Sequence, residues 1–153
     1  MCGIAGIIGI PFSYGINNLQ TMLQLLSHRG PDDKGIYVDE ENNISLGMQR
    51  LSIIDLEKGK QPMSNEDGNI WVVCNGEIYN SPQLRQLLLG KGHIFMTNNS
   101  DVEVLVHLYE EKGIDMIYEL NGMYAFVIYD RIKQILFCVR DLSLIHISEP
   151  TRL

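Results

Sequence analysis

The sequence predicts an α+β domain in which largely antiparallel sheets are covered by helices. Two observations carry that reading. Strand-like and helix-like segments follow one another as strands, helix, strands, two helices, strands, not as alternating βαβ units. Several strand pairs are joined by connections of hairpin length, which suit antiparallel neighbours. The 153 residues fit one domain with a substantial core, and no internal repeat or low-complexity segment interrupts them.

The elements can be justified in order. Residues 3–10 are β-branched and small, a buried strand in which Gly3, Gly6 and Gly9 allow close approach. A turn is expected from Pro11 to Gly15. Leu19, Met22, Leu23 and Leu26 then fall at helical spacing, which predicts an amphipathic helix over 17–26 ended by His28-Arg29-Gly30-Pro31-Asp32. Residues 35–40 and 44–51 read as a hairpin across Glu41-Asn42-Asn43, and 57–68 as a polar loop. A strand over 70–74 runs into Asn75-Gly76-Glu77-Ile78-Tyr79-Asn80. Ser81-Pro82 reads as an N-cap with proline at the first helical position, and Gly90 or Gly92 as the stop. A short strand is expected over 92–96. Ser100-Asp101-Val102-Glu103 has the capping-box pattern, opening a helix that runs to Gly113. A short helix over 114–120 and a strand pair, 123–130 with 134–140, complete the pattern.

Composition narrows the function. A formal net charge of −7 with no Lys/Arg run argues against a nucleic-acid or anionic-membrane partner. The opening apolar run lacks a basic leader and is too short to span a bilayer. Three cysteines, Cys2, Cys74 and Cys138, are an odd number without metal-ligand spacing, which favours a reducing, cytoplasmic setting. Cys74 and Cys138 are expected to be buried as small apolar side chains.

Individual residues leave two readings open. With Met1 removed, Cys2 would carry a thiol and a free α-amine. An α-amine titrates at about 7.7–8.0 and a free thiol at about 8.5, so such an amine accepts a thiol proton at little cost near neutrality. Alternatively, Cys2 merely precedes a buried strand. Asn75-Gly76 is either a turn or a pair of donors, side-chain amide and backbone N–H, for an oxyanion. Arg50 is either a solvated charge or a fork for a substrate carboxylate. Asp101 either supports a helix N-terminus or, like Glu77, pairs with a substrate ammonium. His28-Arg29 suits a basic helix end, and His93 and His107 lie on separate elements without ligand spacing, so no metal site is expected. No Gly-rich phosphate loop is present.

Taken together, Cys2-Gly3-Ile4-Ala5-Gly6, His28-Arg29-Gly30-Pro31-Asp32, Arg50-Leu51-Ser52-Ile53-Ile54-Asp55, Gln61-Pro62-Met63, Asn75-Gly76-Glu77-Ile78-Tyr79-Asn80 and Ser100-Asp101 resemble the glutaminase domain of glutamine-hydrolysing asparagine synthetases. These are class II glutamine amidotransferases of the N-terminal nucleophile hydrolase superfamily. The resemblance runs from Met1 to Asp141 and implies a four-layer αββα sandwich of antiparallel sheets with the mature N-terminus at a glutamine pocket. It implies Cys2 as nucleophile, Asn75 and Gly76 as oxyanion donors, Arg50 on the α-carboxylate, and Asp101 with Glu77 on the α-ammonium of L-glutamine. No cofactor is implied for this chain. ATP and magnesium are implied for a synthetase domain elsewhere in the full-length chain, which would receive the ammonia and whose full-length form is expected to include homodimers. An amidotransferase of the same kind acting on another acceptor, or a non-catalytic module of the same fold, are the alternative readings.

Two departures from the family stand out. Gln49 replaces a residue that is often basic. After Arg140-Asp141 the family pattern stops, and residues 142–153 resemble the translation of a transposon-end adapter used in sequencing libraries. That tail is expected to be non-native, leaving 1–141 as an amidotransferase domain incomplete at its C-terminus, with unpaired sheet edges.

Overall fold

The computed structural model describes residues 2–51 and 59–141. Met1, the 52–55 part of the Arg50 motif and the tail 142–153 lie outside the described residues. The first sheet holds β1 (Gly3–Ile8), β2 (Asp33–Asp39) and β3 (Ile44–Arg50) in the order β1-β3-β2, all antiparallel. The expected hairpin joins β2 to β3, closing where Asp39 faces Ile44, with Asn43 at φ 53°. The second sheet holds β4 (Met63–Ser64), β5 (Ile70–Ile78), β6 (Gly122–Asp130) and β7 (Ile135–Arg140) in chain order, again antiparallel.

Helices cover the outer faces. The first helix, α1 (Phe12–Leu25), lies across β1 and β3 and buries Leu19 and Leu23 completely. Gly47 makes room, since a Cβ there would stand 2.7 Å from a Leu23 methyl. Two further helices, α2 (Ser81–Gly90) and α3 (Glu103–Lys112), cover the second sheet. Leu84, Leu88, Val104, Leu105 and Leu108 pack there with Val72, Cys74, Phe126 and Ile128. Between the sheets, Ile44, Leu46 and Met48 meet Val73 and Tyr129, and Tyr37 stacks on Trp71 at 4.0 Å between ring centroids. The layers therefore run helix, sheet, sheet, helix. Every residue of β3 is buried, one set against α1 and the alternate set against the other sheet.

One side chain clasps the two sheets together. The Gln61 carboxamide accepts the Cys74 N–H at 2.6 Å and donates to the Cys74 carbonyl at 3.2 Å, reproducing what a paired strand would offer β5. The Gln61 backbone lies against Gly35 of β2, where a Cβ would sit 1.7 Å from the Gln61 carbonyl oxygen. Gln61 thus touches a strand of each sheet, just before the short β4.

Several expectations need correction. Helix α1 begins at Phe12, not after Gly15, because Pro11 caps it and its carbonyl accepts the N–H groups of Tyr14 and Gly15. No strand forms over 92–96. The capping box does not form either. The Glu103 carboxylate turns to the Met96 and Thr97 N–H groups, at 2.5 and 2.9 Å, and to the Thr97 hydroxyl. The Ser100 hydroxyl accepts the Val102 N–H at 3.3 Å. Asn80 takes the N-cap position of α2, one residue before Ser81. Cys74 is buried as expected, but Cys138 is exposed on β7.

The clasp predicts a pair of glycine substitutions with opposite outcomes. Gly35→Ala forces backbone against backbone and is expected to cost about 1–3 kcal/mol. Gly90→Ala, in open space in the last turn of α2, is expected to be neutral or to gain up to about 1 kcal/mol. Urea unfolding midpoints of the two variants measure both.

Candidate active site

Strand alternation aims three side chains at one spot. On β3, Ile44, Leu46 and Met48 face the second sheet, so Arg50 at the strand end does too, and it is buried. On β1, Ile4 faces the same gap, and Cys2 precedes it by two residues. On β5, Val73 faces the gap and Cys74 packs under the helices, which returns Asn75 to the gap. The apolar layer between the sheets therefore ends in a thiol, a guanidinium and a carboxamide.

Cys2 is held closely. Its Sγ accepts the Leu51 N–H at 3.4 Å and donates to the Leu51 carbonyl at 3.7 Å. Arg29 Nε donates to the Cys2 carbonyl at 3.1 Å. Gly30 lies flat on β3, where a Cβ would be 2.5 Å from the Gln49 carbonyl oxygen, and the Asp32 N–H donates to the Arg50 carbonyl at 3.1 Å. The His28-Arg29-Gly30-Pro31-Asp32 stretch, read from sequence as a basic helix end, is thus a brace that sets Cys2 and Arg50 side by side. Its signal was the glycine, whose need for close approach could have been suspected.

Asn75-Gly76 is not a turn. The strand continues through both, with Asn75 opposite Ala125 and Gly76 opposite Tyr124. Gly76 has φ 153°, and a Cβ there would lie 2.2 Å from the Met123 carbonyl oxygen, so no other residue fits. Glu77 follows, exposed at the mouth.

Asp101 does not cap α3 but reaches across to β5, where its Oδ2 accepts the Ile78 N–H at 2.9 Å. Burial pushes its carboxyl above the usual carboxylate range, and the negative charge of Glu77 adds to the effect. The Ile78 and Asp101 N–H groups and the Arg50 charge oppose this without reversing it. Asp101, Glu77 and Arg50 therefore share one electrostatic neighbourhood. The Cys74 thiol, on the opposite face of β5, is pushed up by burial first, then by Asp101 and Cys2, and stays neutral. All six residues singled out from sequence, Cys2, Arg50, Asn75, Gly76, Glu77 and Asp101, lie at this end of the sandwich.

The two histidines read as unconnected are neighbours. His93, beyond α2, and His107, on α3, have ring centroids 5.0 Å apart, on the outer side of the second sheet. Sequence spacing could not reveal this, because the contact depends on how the α2–α3 connection folds back.

Comparison with known proteins agrees with the geometry. A family model described as a glutamine amidotransferase domain matches residues 1–144. "Asparagine synthetase [glutamine-hydrolyzing] 2" of Bacillus subtilis is 46% identical over 145 residues, covering 92% of this chain and 19% of that protein. "Asparagine synthetase [glutamine-hydrolyzing] 1" of Arabidopsis thaliana is 41% identical over 143 residues, covering 92% of this chain and 24% of that protein. The chain thus spans a quarter or less of the length of these two curated relatives. Among solved structures, glutamine phosphoribosylpyrophosphate (PRPP) amidotransferase from B. subtilis superposes with a TM-score of 0.63 at 25% identity, over 85% of this chain and 35% of that one. The sandwich is that of the N-terminal nucleophile hydrolases, as the resemblance implied. On its fold, its site and a match spanning nearly its whole length, the chain belongs to the glutamine amidotransferase domain family.

Proposed function

We propose that this chain is the glutaminase part of a glutamine-hydrolysing asparagine synthetase, with Cys2 as its nucleophile once Met1 is removed. The observation that carries the reading is the convergence of Cys2, just before β1, with Arg50 of β3 and Asn75 of β5 on one end of the inter-sheet gap, in the same electrostatic neighbourhood as Asp101. A cation and two carboxylates at one mouth suit an α-amino acid, whose carboxylate pairs with Arg50 and whose ammonium pairs with Asp101 and Glu77. That pairing leaves the side-chain amide to enter the gap toward Cys2.

The chemistry follows from the groups present. The Cys2 α-amine takes the thiol proton, and the thiolate sulfur attacks the amide carbon. The Asn75 amide and the Gly76 N–H stabilise the oxyanion. Collapse of the tetrahedral species breaks the C–N bond, the α-ammonium returns its proton to the departing nitrogen, and ammonia leaves. Water, deprotonated by the same amine, then cleaves the thioester and releases glutamate.

In this reading the ammonia serves a synthetase domain of the full-length protein, where ATP and magnesium would activate aspartate. None of the residues above is asked to hold either. The three cysteines form no disulfide, which accords with a cytoplasmic setting. Among the described residues no helix is long and apolar enough to cross a membrane.

Three variants test the assignment. Cys2→Ala is expected to abolish glutamate release from glutamine, with intact-mass measurement confirming loss of Met1 in the parent; equal rates in both would exclude the mechanism. Asn75→Ala is expected to lower kcat about 100–1000-fold while leaving KM nearly unchanged, because its amide meets charge that develops only in the transition state. A larger effect on KM would instead make Asn75 a substrate-binding residue.

Asp101→Asn should separate binding from stability. Loss of the ammonium partner is expected to raise KM about 10–100-fold. The raised carboxyl of Asp101 means that the unfolded chain releases this proton before the folded one does as pH rises. Stability linked to this group is therefore fully present below the unfolded value, near pH 3.9, and is lost as pH rises through the higher folded value. Asp101→Asn is accordingly expected to be more stable than the parent at pH 7 and to lose that advantage near pH 3, as read from urea midpoints at the two pH values.

A further inference from the structure

Far from Cys2, on the helix side of the second sheet, four side chains from three segments converge. Glu66 comes from the β4–β5 connection, His93 from the segment after α2, and His107 and Glu110 from α3. Their ligand atoms all lie within 4.8 Å of one another. His107 Nδ1 is 3.0 Å from Glu110 Oε2 and 3.4 Å from Glu66 Oε2, and His93 Nδ1 is 3.4 Å from the same Glu110 oxygen. In a tetrahedral zinc site with bonds of about 2.0–2.1 Å, neighbouring ligand atoms stand roughly 3.3 Å apart. These three separations are close to that edge, and the others are no longer than 4.8 Å, within reach of side-chain adjustment around an ion.

The surrounding groups are those that orient metal ligands. His93 turns its other nitrogen, Nε2, to Glu111 Oε1 at 3.0 Å, the carboxylate–histidine arrangement that fixes a ligating tautomer. Glu110 Oε1 accepts the Asn65 side-chain N–H at 2.7 Å, which leaves Oε2 for the cluster. Asn65 is itself buried and anchored, its Oδ1 accepting the Asn69 and Ile70 N–H groups at 3.1 and 3.0 Å. The ring of His107 is fully buried beneath Phe95, at 4.5 Å between centroids, and its Nε2 has no hydrogen-bond partner among the described residues, so the ring acts through Nδ1.

Donor counting favours a cation over simple ion pairs. His107 Nδ1 can offer one proton, yet two carboxylate oxygens aim at it. His93, with Nε2 facing Glu111 Oε1, turns Nδ1 toward Glu110 Oε2 at 3.4 Å, where a cation between them would be held by both atoms. A divalent ion accepts all four atoms at once and neutralises Glu66 and Glu110.

We propose that Glu66, His93, His107 and Glu110 form a structural site for a divalent transition metal, best zinc. Two imidazoles with two carboxylates and no thiolate select zinc over magnesium and calcium, which prefer all-oxygen shells. The ion staples the β4–β5 connection and the α2–α3 connection to α3. It lies on the opposite face of the second sheet from the glutamine site and takes no part in that chemistry.

The test uses the full chain stripped with a chelator, titrated calorimetrically with zinc alone and, separately, with magnesium alone. One zinc per chain is expected. The thermal midpoint is expected to rise by about 5–10 °C at a hundredfold excess of zinc over its Kd. His93→Asn and Glu66→Gln are each expected to weaken zinc binding at least about tenfold. Because Glu66 is exposed at the rim, E66Q keeps the test valid if H93N folds poorly. Absence of saturable zinc binding, unchanged affinity in both variants as thiol binding would give, or equally tight magnesium binding would overturn the proposal.

Discussion

Burial of β3 on both faces is the constraint from which the arrangement of the domain follows. A strand pressed between α1 and a second sheet has no solvent side, so Ile44, Leu46 and Met48 fill the inter-sheet gap while Ser45, Gly47 and Gln49 lie buried on the α1 side. β5 meets the same demand with Val73 toward the gap and Val72 and Cys74 toward the helices. On the gap side, polar side chains follow where the apolar run of each strand ends. Arg50 stands at that limit on β3, Asn75 near it on β5, and Cys2 just before β1. Cys2, Arg50 and Asn75 therefore occupy one end of the gap, with its apolar interior as their floor, while the buried Asp39–Tyr129 hydrogen bond closes the other end.

A reactive end built on strand termini needs bracing, and the connections supply it. Arg29 and the Leu51 backbone fix the residue that carries the thiol, Gly30 lets that connection lie against β3, and Gln61 closes β5 against β2. Asp101 illustrates the energetic side of the same design. A carboxylate that is buried, and repelled by Glu77, lowers the stability of the empty domain at neutral pH, and a substrate ammonium would relieve both effects. Binding and stability are therefore opposed at this residue.

Much of this was legible in the sequence because it rests on local periodicity. The antiparallel hairpin at Asp39 and Ile44, the helices and the last strand pair all follow from alternation or helical spacing. All six candidate site residues could be picked out in the sequence, though the roles proposed for them came from the resemblance, not from spacing. What escaped was what depends on tertiary partners. Glu103 has the capping-box position, yet it serves the Met96 and Thr97 N–H groups and the Thr97 hydroxyl, because the α2–α3 connection brings these donors onto its buried carboxylate. Asn75-Gly76 has turn chemistry, yet β6 pairs with it and keeps it extended. The approach of His93 to His107 has no sequence period, since a folded-back connection brings it about.

The central claim is that the thiol of Cys2, beside its own α-amine, is the one that reacts with glutamine. The most direct measurement is peptide-level mass spectrometry after treatment with a glutamine analogue that carries an electrophilic carbon in place of the side-chain amide. Cys138 is exposed and serves as the internal control for unselective thiol reactivity. The account predicts one adduct per chain, on Cys2 of protein lacking Met1, prevented by excess glutamine and absent from Arg50→Ala. Labelling of Cys138 ahead of Cys2, or no labelling of protein shown to have lost Met1, would contradict it.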